Sequence, residues 1–204
     1  MTKPFSDCWN YIVERSKAGP FPVVQDRSEM EHVYTLLQGC ESYLEVGSAE
    51  GNSLYVFANA MRPGSRITYI DWDEKHTRPH RERAIKELES NGYKITGVRS
   101  NSNDFRAALS LKDKEFDCVL IDAGHKGFNV AIDAMFYAPL ATKYIVFHDI
   151  RLPDVEEVFA WYSSQRPDCK AYRFFNSDTY GYGVMIIGTT VMAKPKRRKI
   201  LGVF

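Results

Sequence analysis

Tyr43-Leu44-Glu45-Val46-Gly47-Ser48-Ala49-Glu50-Gly51-Asn52-Ser53 is an apolar run that enters a turn of small residues and reopens as a helix. Small residues at a strand-to-helix turn let a ligand approach the backbone, and the helix N-terminus behind it offers free N–H groups. A dinucleotide fingerprint reads Gly-x-Gly-x-x-Gly. Counting from Gly47, this turn has Ala49 and Asn52 at the second and third glycine positions, which disfavours NAD and FAD. No Gly-Lys-Ser or Gly-Lys-Thr follows, so a P-loop is excluded.

Outward from the turn, short β-branched or aromatic runs alternate with amphipathic stretches. Strand candidates fall at 42–46, 66–70, 94–99, 116–121 and 144–147, with helices at 53–61, 77–90, 104–109, 128–137 and 153–164 between and after them. Arg62-Pro63-Gly64, Asn91-Gly92 and Pro139 stand where helices should stop, because proline cannot continue the ladder and glycine tolerates the left-handed cap. Strands alternating with helices imply a parallel sheet covered on both faces. Two further strands, 171–175 and 183–187, are joined by a connection too short for a crossover helix, so that pair is antiparallel. The expected fold is a Rossmann-like doubly wound α/β sheet of about seven strands. Ahead of it, Ser28-Glu29-Met30-Glu31 reads as a capping box opening a helix that buries Met30, Val33, Tyr34 and Leu37. Residues 1–27 read as an N-terminal arm acting as lid or packing element, 28–190 as the ligand-binding domain and 191–204 as a basic tail.

Asp71 closes the second strand 20 residues beyond Gly51, about where an acid can hold a ribose diol. Glu-x-Gly-x-x-x-Gly at Glu45, Gly47 and Gly51 resembles motif I of the class I S-adenosylmethionine-dependent methyltransferases. That resemblance covers roughly residues 28–190 and implies S-adenosylmethionine as cofactor. An acid such as Glu45 suits a ligand carrying an ammonium and a sulfonium, where it would repel phosphates. The resemblance assigns cofactor contacts to Glu45, Gly47, Ser48, Ala49, Gly51, Asn52 and Ser53 of the turn, to Asp71 for the ribose, and to Trp72 against the adenine. It adds Asn101 and Ser102 after the third strand, which read equally as an N-cap cluster for the helix at Asp104.

Ligands of open α/β sheets bind outside the carboxyl ends of the strands. The fourth strand candidate ends in Asp122-Ala123-Gly124-His125-Lys126 and the fifth in His148-Asp149-Ile150. These segments resemble a small-molecule O-methyltransferase subgroup, which implies catalytic roles for Asp122, His125 and Asp149, with Asp122 also beside the cofactor, while Tyr69-Ile70-Asp71-Trp72-Asp73 followed by Arg78-Pro79-His80 resembles the cephalosporin hydroxylase-like branch. Methyl transfer to oxygen needs the acceptor deprotonated as it attacks. His125, with an ordinary pKa near 6.5, is one candidate base. A Mg²⁺ ion held by Asp122, Asp149 and His148 is the competing device.

Lys and Arg number 27 against 26 Asp and Glu, but Lys194, Lys196, Arg197, Arg198 and Lys199 crowd into the tail, leaving a body of net charge −4. Nucleic acid is therefore an unfavoured partner, although the tail could touch phosphates. No Asn-Pro-Pro-Tyr or Asp-Pro-Pro-Tyr stretch that would stack a flipped base is present. Cys8, Cys40, Cys118 and Cys169 form no Cys-x-x-Cys pair, which argues for reduced thiols in a cytoplasm. No segment approaches the ~20 apolar residues of a membrane span. The expected partner is a small-molecule methyl acceptor, with a metal-assisted hydroxylase on the same fold as the alternative enzyme. Of the aromatics Trp161, Tyr162, Tyr172, Phe174, Phe175, Tyr180 and Tyr182, most are expected to fill the core.

Overall fold

The computed structural model describes residues 2–17, 22–72, 75, 77–175 and 180–187. Tail residues Lys194–Lys199 lie outside these. Seven strands form one sheet in the order β3-β2-β1-β4-β5-β7-β6. They are β1 (Ser42–Val46), β2 (Arg66–Asp71), β3 (Lys94–Arg99), β4 (Phe116–Ile121), β5 (Ala141–His148), β6 (Cys169–Phe174) and β7 (Tyr182–Ile187). The first five run parallel, and β7 is antiparallel to both β5 and β6. This is the expected doubly wound sheet with its antiparallel end.

All five residues of β1 are buried, as befits a strand in mid-sheet with both faces covered. Its alternation divides the core. Tyr43 faces the layer containing Leu54, Phe57 and Ile12, while Leu44 and Val46 face the layer of Tyr137, Val155 and Phe159. The first layer comprises α1 (Phe5–Lys17), α2 (Arg27–Leu37), α3 (Asn52–Ala60) and α4 (Arg78–Ser90). The second is α5 (Phe105–Leu111), α6 (Gly127–Tyr137) and α7 (Pro153–Ser164).

Two local features add to the expected outline, the second as a correction of the Ser28 capping box. The N-terminal segment contains α1, which buries Phe5, Cys8 and Ile12 in the common core. Its Arg15 donates to the Asn52 side chain and to the Glu50 carbonyl at 3.3 Å, so this helix braces the glycine turn from behind. The cap of α2 is Asp26, whose Oδ1 accepts from the backbone N–H groups of Ser28 at 2.9 Å and Glu29 at 3.0 Å. The helix thus starts one residue before Ser28, and Glu29 is left buried on its inner face.

Candidate active site

Gly47 takes φ 91°, and a Cβ there would lie 2.3 Å from the Asp122 carbonyl oxygen and 2.6 Å from Ala123 Cα. Only glycine lets the β1 turn pass this close to the end of β4. Ala49 also adopts positive φ, 40°, so the second position of the turn carries the left-handed backbone usually given to glycine. Its conformation is held by Asp71. One carboxylate oxygen of Asp71 accepts from the N–H groups of Ser48 and Ala49, both at 2.7 Å, and the other pairs with Arg81 Nη1 at 2.9 Å. Arg81 in turn donates to the Ala49 carbonyl at 2.8 Å and is 1% exposed. The acid expected only to await a ribose therefore also stitches the turn to β2.

A cleft of about 320 Å³ opens over these strand ends. Gly47, Ala49, Asp71, Trp72, Asn101, Ser102 and Asp122 line it, as do Ile70, Thr77, Asn103, Ala123, Gly124 and Asn129, none of them among the expected cofactor contacts. Trp72 is 61% exposed, its ring available to a ligand. The polar loop is secured from below: Asn103 donates to Asp133 Oδ1 at 2.8 Å and to the Asn129 carbonyl at 3.1 Å. Asp104, as half expected, caps α5 by accepting from Arg106 N at 2.8 Å.

Glu45, Ser48, Gly51, Asn52 and Ser53 do not line the cleft. Glu45 is fully buried, and strand alternation puts it with Tyr43 beneath α3. It accepts from Tyr43 Oη at 2.8 Å and Ser53 Oγ at 2.7 Å. Its expected place before a cationic ligand is thus a correction: the side chain lies under the turn, bonding strand to helix. Burial pushes its carboxyl up to about 8, with the hydroxyls of Ser53 and Tyr43 opposing the shift. A folded-state pKa above the unfolded value means the stabilisation is full below about pH 4.5 and is lost as pH rises through about 8. Glu45→Gln removes this dependence. In thermal melts, the advantage of wild type over the variant should shrink steadily from about pH 5 to about pH 8; a constant difference would show that Glu45 is ionised throughout.

Beside the cleft, and joined to it through Asp122, four expected residues converge; His125, His148 and Asp149 do not themselves line it. His148 Nδ1 lies 3.2 Å from Asp122 Oδ1 and 3.0 Å from Asp149 Oδ1. His125 Nε2 lies 2.9 Å from Asp149 Oδ2 and 3.8 Å from Asp122 Oδ1. Asp149 holds φ 56°, a left-handed position that costs about 1 kcal/mol or more outside glycine and turns its carboxylate back over the end of β5. The carboxylates of Asp122 and Asp149 push His125 up to about 10. It is accordingly protonated at neutral pH, against the ordinary pKa assumed for a base. His148 is likewise raised, its burial outweighed by the two aspartates and Glu29, while both aspartates are held below the usual carboxylate range by the histidines.

One atom in this cluster is unmatched: His148 Nδ1 is buried and makes no hydrogen bond of sound geometry, despite two carboxylate oxygens so near. Asp122, His148 and Asp149 each offer a ligand atom within 4.8 Å of the others. That donor set, one imidazole nitrogen and two carboxylate oxygens, suits a divalent cation. Sequence reasoning missed Glu29, whose Oε2 lies 3.7 Å from His148 Nε2.

The aromatics of the C-terminal third are mostly not core. Tyr162 and Tyr182 are buried, whereas Trp161, Tyr172, Phe174, Phe175 and Tyr180 are exposed. Phe174 stacks on Tyr182 at 5.0 Å between centroids, and with His32 and Phe175 these rings line a second cleft of about 490 Å³ that reaches Glu29.

A glycine turn after β1, an acid ending β2 and a polar loop after β3, gathered around one cleft on this strand order, define the class I Rossmann-like methyltransferase architecture. Residues 44–150 match the family described as methyltransferase domain, and the chain belongs to that family, with the fold of the S-adenosylmethionine-dependent enzymes. Similar solved structures include the O-methyltransferase from Bacillus cereus in complex with SAH, with TM-score 0.67 and 17% identity, covering 92% of this chain and 93% of that one. Another is the O-methyltransferase TomG from Streptomyces achromogenes, involved in tomaymycin synthesis and solved with SAM, with TM-score 0.66 and 15% identity over 92% of each chain. The SAH-bound methyltransferase PaMTH1 from Podospora anserina gives 0.62 and 13%, covering 89% and 86%. No curated protein matches in sequence. Among the described residues no helix is long and apolar enough to cross a membrane.

Proposed function

We propose that the protein methylates a hydroxyl group of a small molecule, with S-adenosylmethionine in the first cleft and a divalent cation, Mg²⁺ by its oxygen-rich donor set, at Asp122, His148 and Asp149. The carrying observation is the convergence of His148 Nδ1 with one carboxylate oxygen each of Asp122 and Asp149, all within 4.8 Å of one another, beside the cleft that Gly47 keeps open. When bound, S-adenosylmethionine supplies an electrophilic sulfonium methyl. A divalent cation supplies Lewis acidity, which lowers the pKa of a hydroxyl.

The chain's own residues do the rest. Gly47 and Ala49 present backbone to the amino-acid end, Asp71 faces the ribose, and Trp72 with Asn101, Ser102 and Asn103 borders the adenine end. Asp71 Oδ1 retains acceptor capacity beside Arg81, so the diol and the turn share one carboxylate. His125, half exposed at the mouth, acts as a charged donor that holds Asp149 in place; it becomes a base only where the aspartate charge beside it is taken up elsewhere. The acceptor approaches past Phe174 and Phe175, whose exposed rings suit a planar molecule.

The experiment is incubation with S-adenosylmethionine and a vicinal-diol probe, 3,4-dihydroxybenzoate, read by mass spectrometry. The expected product gains one CH₂, formation stops with EDTA and returns with Mg²⁺. Turnover indifferent to EDTA would remove the cation from the reading, and methylation confined to amine probes would remove oxygen.

A further inference from the structure

Glu29 is a buried carboxylate at 5% exposure, on a helix that precedes the sheet. An acid is costly there unless it is engaged by donors or charges. Its Oε1 accepts from the Gly181 backbone N–H at 3.1 Å, at the mouth of the β6–β7 hairpin. Its Oε2 stands 3.7 Å from Nε2 of His148, an ion-pair separation. The opposite edge of the same ring, Nδ1, faces Asp122 and Asp149. The imidazole is thus held edge-on between one carboxylate behind and two in front. Glu29 also borders both the narrow cavity beside His148 and the aromatic cleft.

We infer that Glu29 is a positioning residue for the cation site: it engages the Nε2 edge of His148 so that Nδ1 is presented bare toward Asp122 and Asp149. This rests on the cation reading of the cluster. A metal-binding histidine hands its second N–H to a carboxylate or carbonyl, which sets its tautomer and ring orientation. Glu29 is the carboxylate in that place, contributed by α2, and through Gly181 it fixes the entrance of β7 as well. The N-terminal helix is therefore part of the active centre's support and not only its cover.

Glu29→Gln separates this role from mere packing. The amide keeps the size and still accepts from Gly181 N–H, but it turns an N–H₂ toward Nε2 in place of an acceptor. That favours the tautomer with its proton on Nδ1, aimed between the aspartates. A residue needed only for packing would tolerate the change.

The test is calorimetric titration of Mn²⁺ into the full chain, with S-adenosylhomocysteine affinity and thermal midpoint recorded alongside. Glu29→Gln should bind Mn²⁺ about 10–100-fold more weakly than wild type, with nucleoside affinity unchanged and a single cooperative thermal transition retained. With Mg²⁺ in place of Mn²⁺, ¹⁵N–¹H histidine spectra should show His148 protonated on Nε2 in wild type and on Nδ1 in the variant. Should Glu29→Gln not fold, Glu29→Asp, which withdraws the carboxylate by one methylene, should show the same loss in smaller measure. Equal Mn²⁺ affinity in wild type and the folded variant overturns the role of Glu29 and leaves the cation reading standing. Absence of Mn²⁺ binding in wild type overturns both.

Discussion

Asp71→Ala should abolish the heat of S-adenosylhomocysteine binding and, unlike an ordinary ligand-contact variant, also lower unfolding free energy by about 3 kcal/mol. Two roles coincide in this carboxylate. Toward the cleft it faces the ribose position; inward it accepts from Ser48 and Ala49 and balances Arg81, whose guanidinium is almost wholly buried. Removing it strips a carboxylate from a desolvated cation and acceptors from two backbone N–H groups, and each such loss carries a desolvation cost. A second substitution divides the roles. Asp71→Ala with Arg81→Met removes both charges, and replacing a buried pair by apolar groups is close to neutral. Denaturant unfolding of the double variant should recover a good part of the lost stability while calorimetry still shows no nucleoside binding. If Asp71→Ala unfolds at the same denaturant concentration as wild type, the stitch between turn and β2 does not carry the load assigned to it.

The second large effect concerns Asp149. Asparagine tolerates positive φ better than most residues, so Asp149→Asn should keep the backbone at the end of β5, at the cost of the stability that its ion pairs with His125 and His148 supply at neutral pH. The charge shared by His125 and His148 is lost. Turnover of the diol probe should fall about 10²–10⁴-fold, the range for a group that manages the acceptor's proton, with S-adenosylhomocysteine affinity unaltered. The expected split, a fall in kcat without a change in nucleoside binding, can be read from single-turnover kinetics and calorimetry on one preparation. A variant of wild-type turnover would take Asp149 out of the reaction.

Much of this was legible because the chemistry sits where the strand pattern ends. Apolar runs leading into Asp71, Asp122 and His148-Asp149 put these side chains at the carboxyl ends of β2, β4 and β5 by period and length alone, and Gly47 announced the close approach of turn to strand. Glu45 misled for a reason equally local. An acid two residues before the glycine looks like part of the rim, but β1 is covered on both faces, and alternation sends position 45 under α3 with Tyr43. Glu29 was hidden by its neighbours: in Ser28-Glu29-Met30-Glu31 an acid reads as capping chemistry, and only the packing of α2 against the end of β5 brings it to His148. The pKa of His125 was equally beyond sequence, because its partners Asp122 and Asp149 come from two different strands. Ile70, Thr77 and Asn129 carry no chemical signature, and line the cleft only because of where three loops close.

The claim on which the rest stands is that the cleft over β1, β2 and β4 is the seat of the nucleoside. Crystals grown with S-adenosylhomocysteine test it most directly. Density is expected for the nucleoside with its ribose at Asp71, its adenine between Trp72 and the loop 101–103, and its sulfur toward Asp122. Density for the nucleoside elsewhere on the molecule, or the same cleft filled by side chains at saturating ligand, would contradict it.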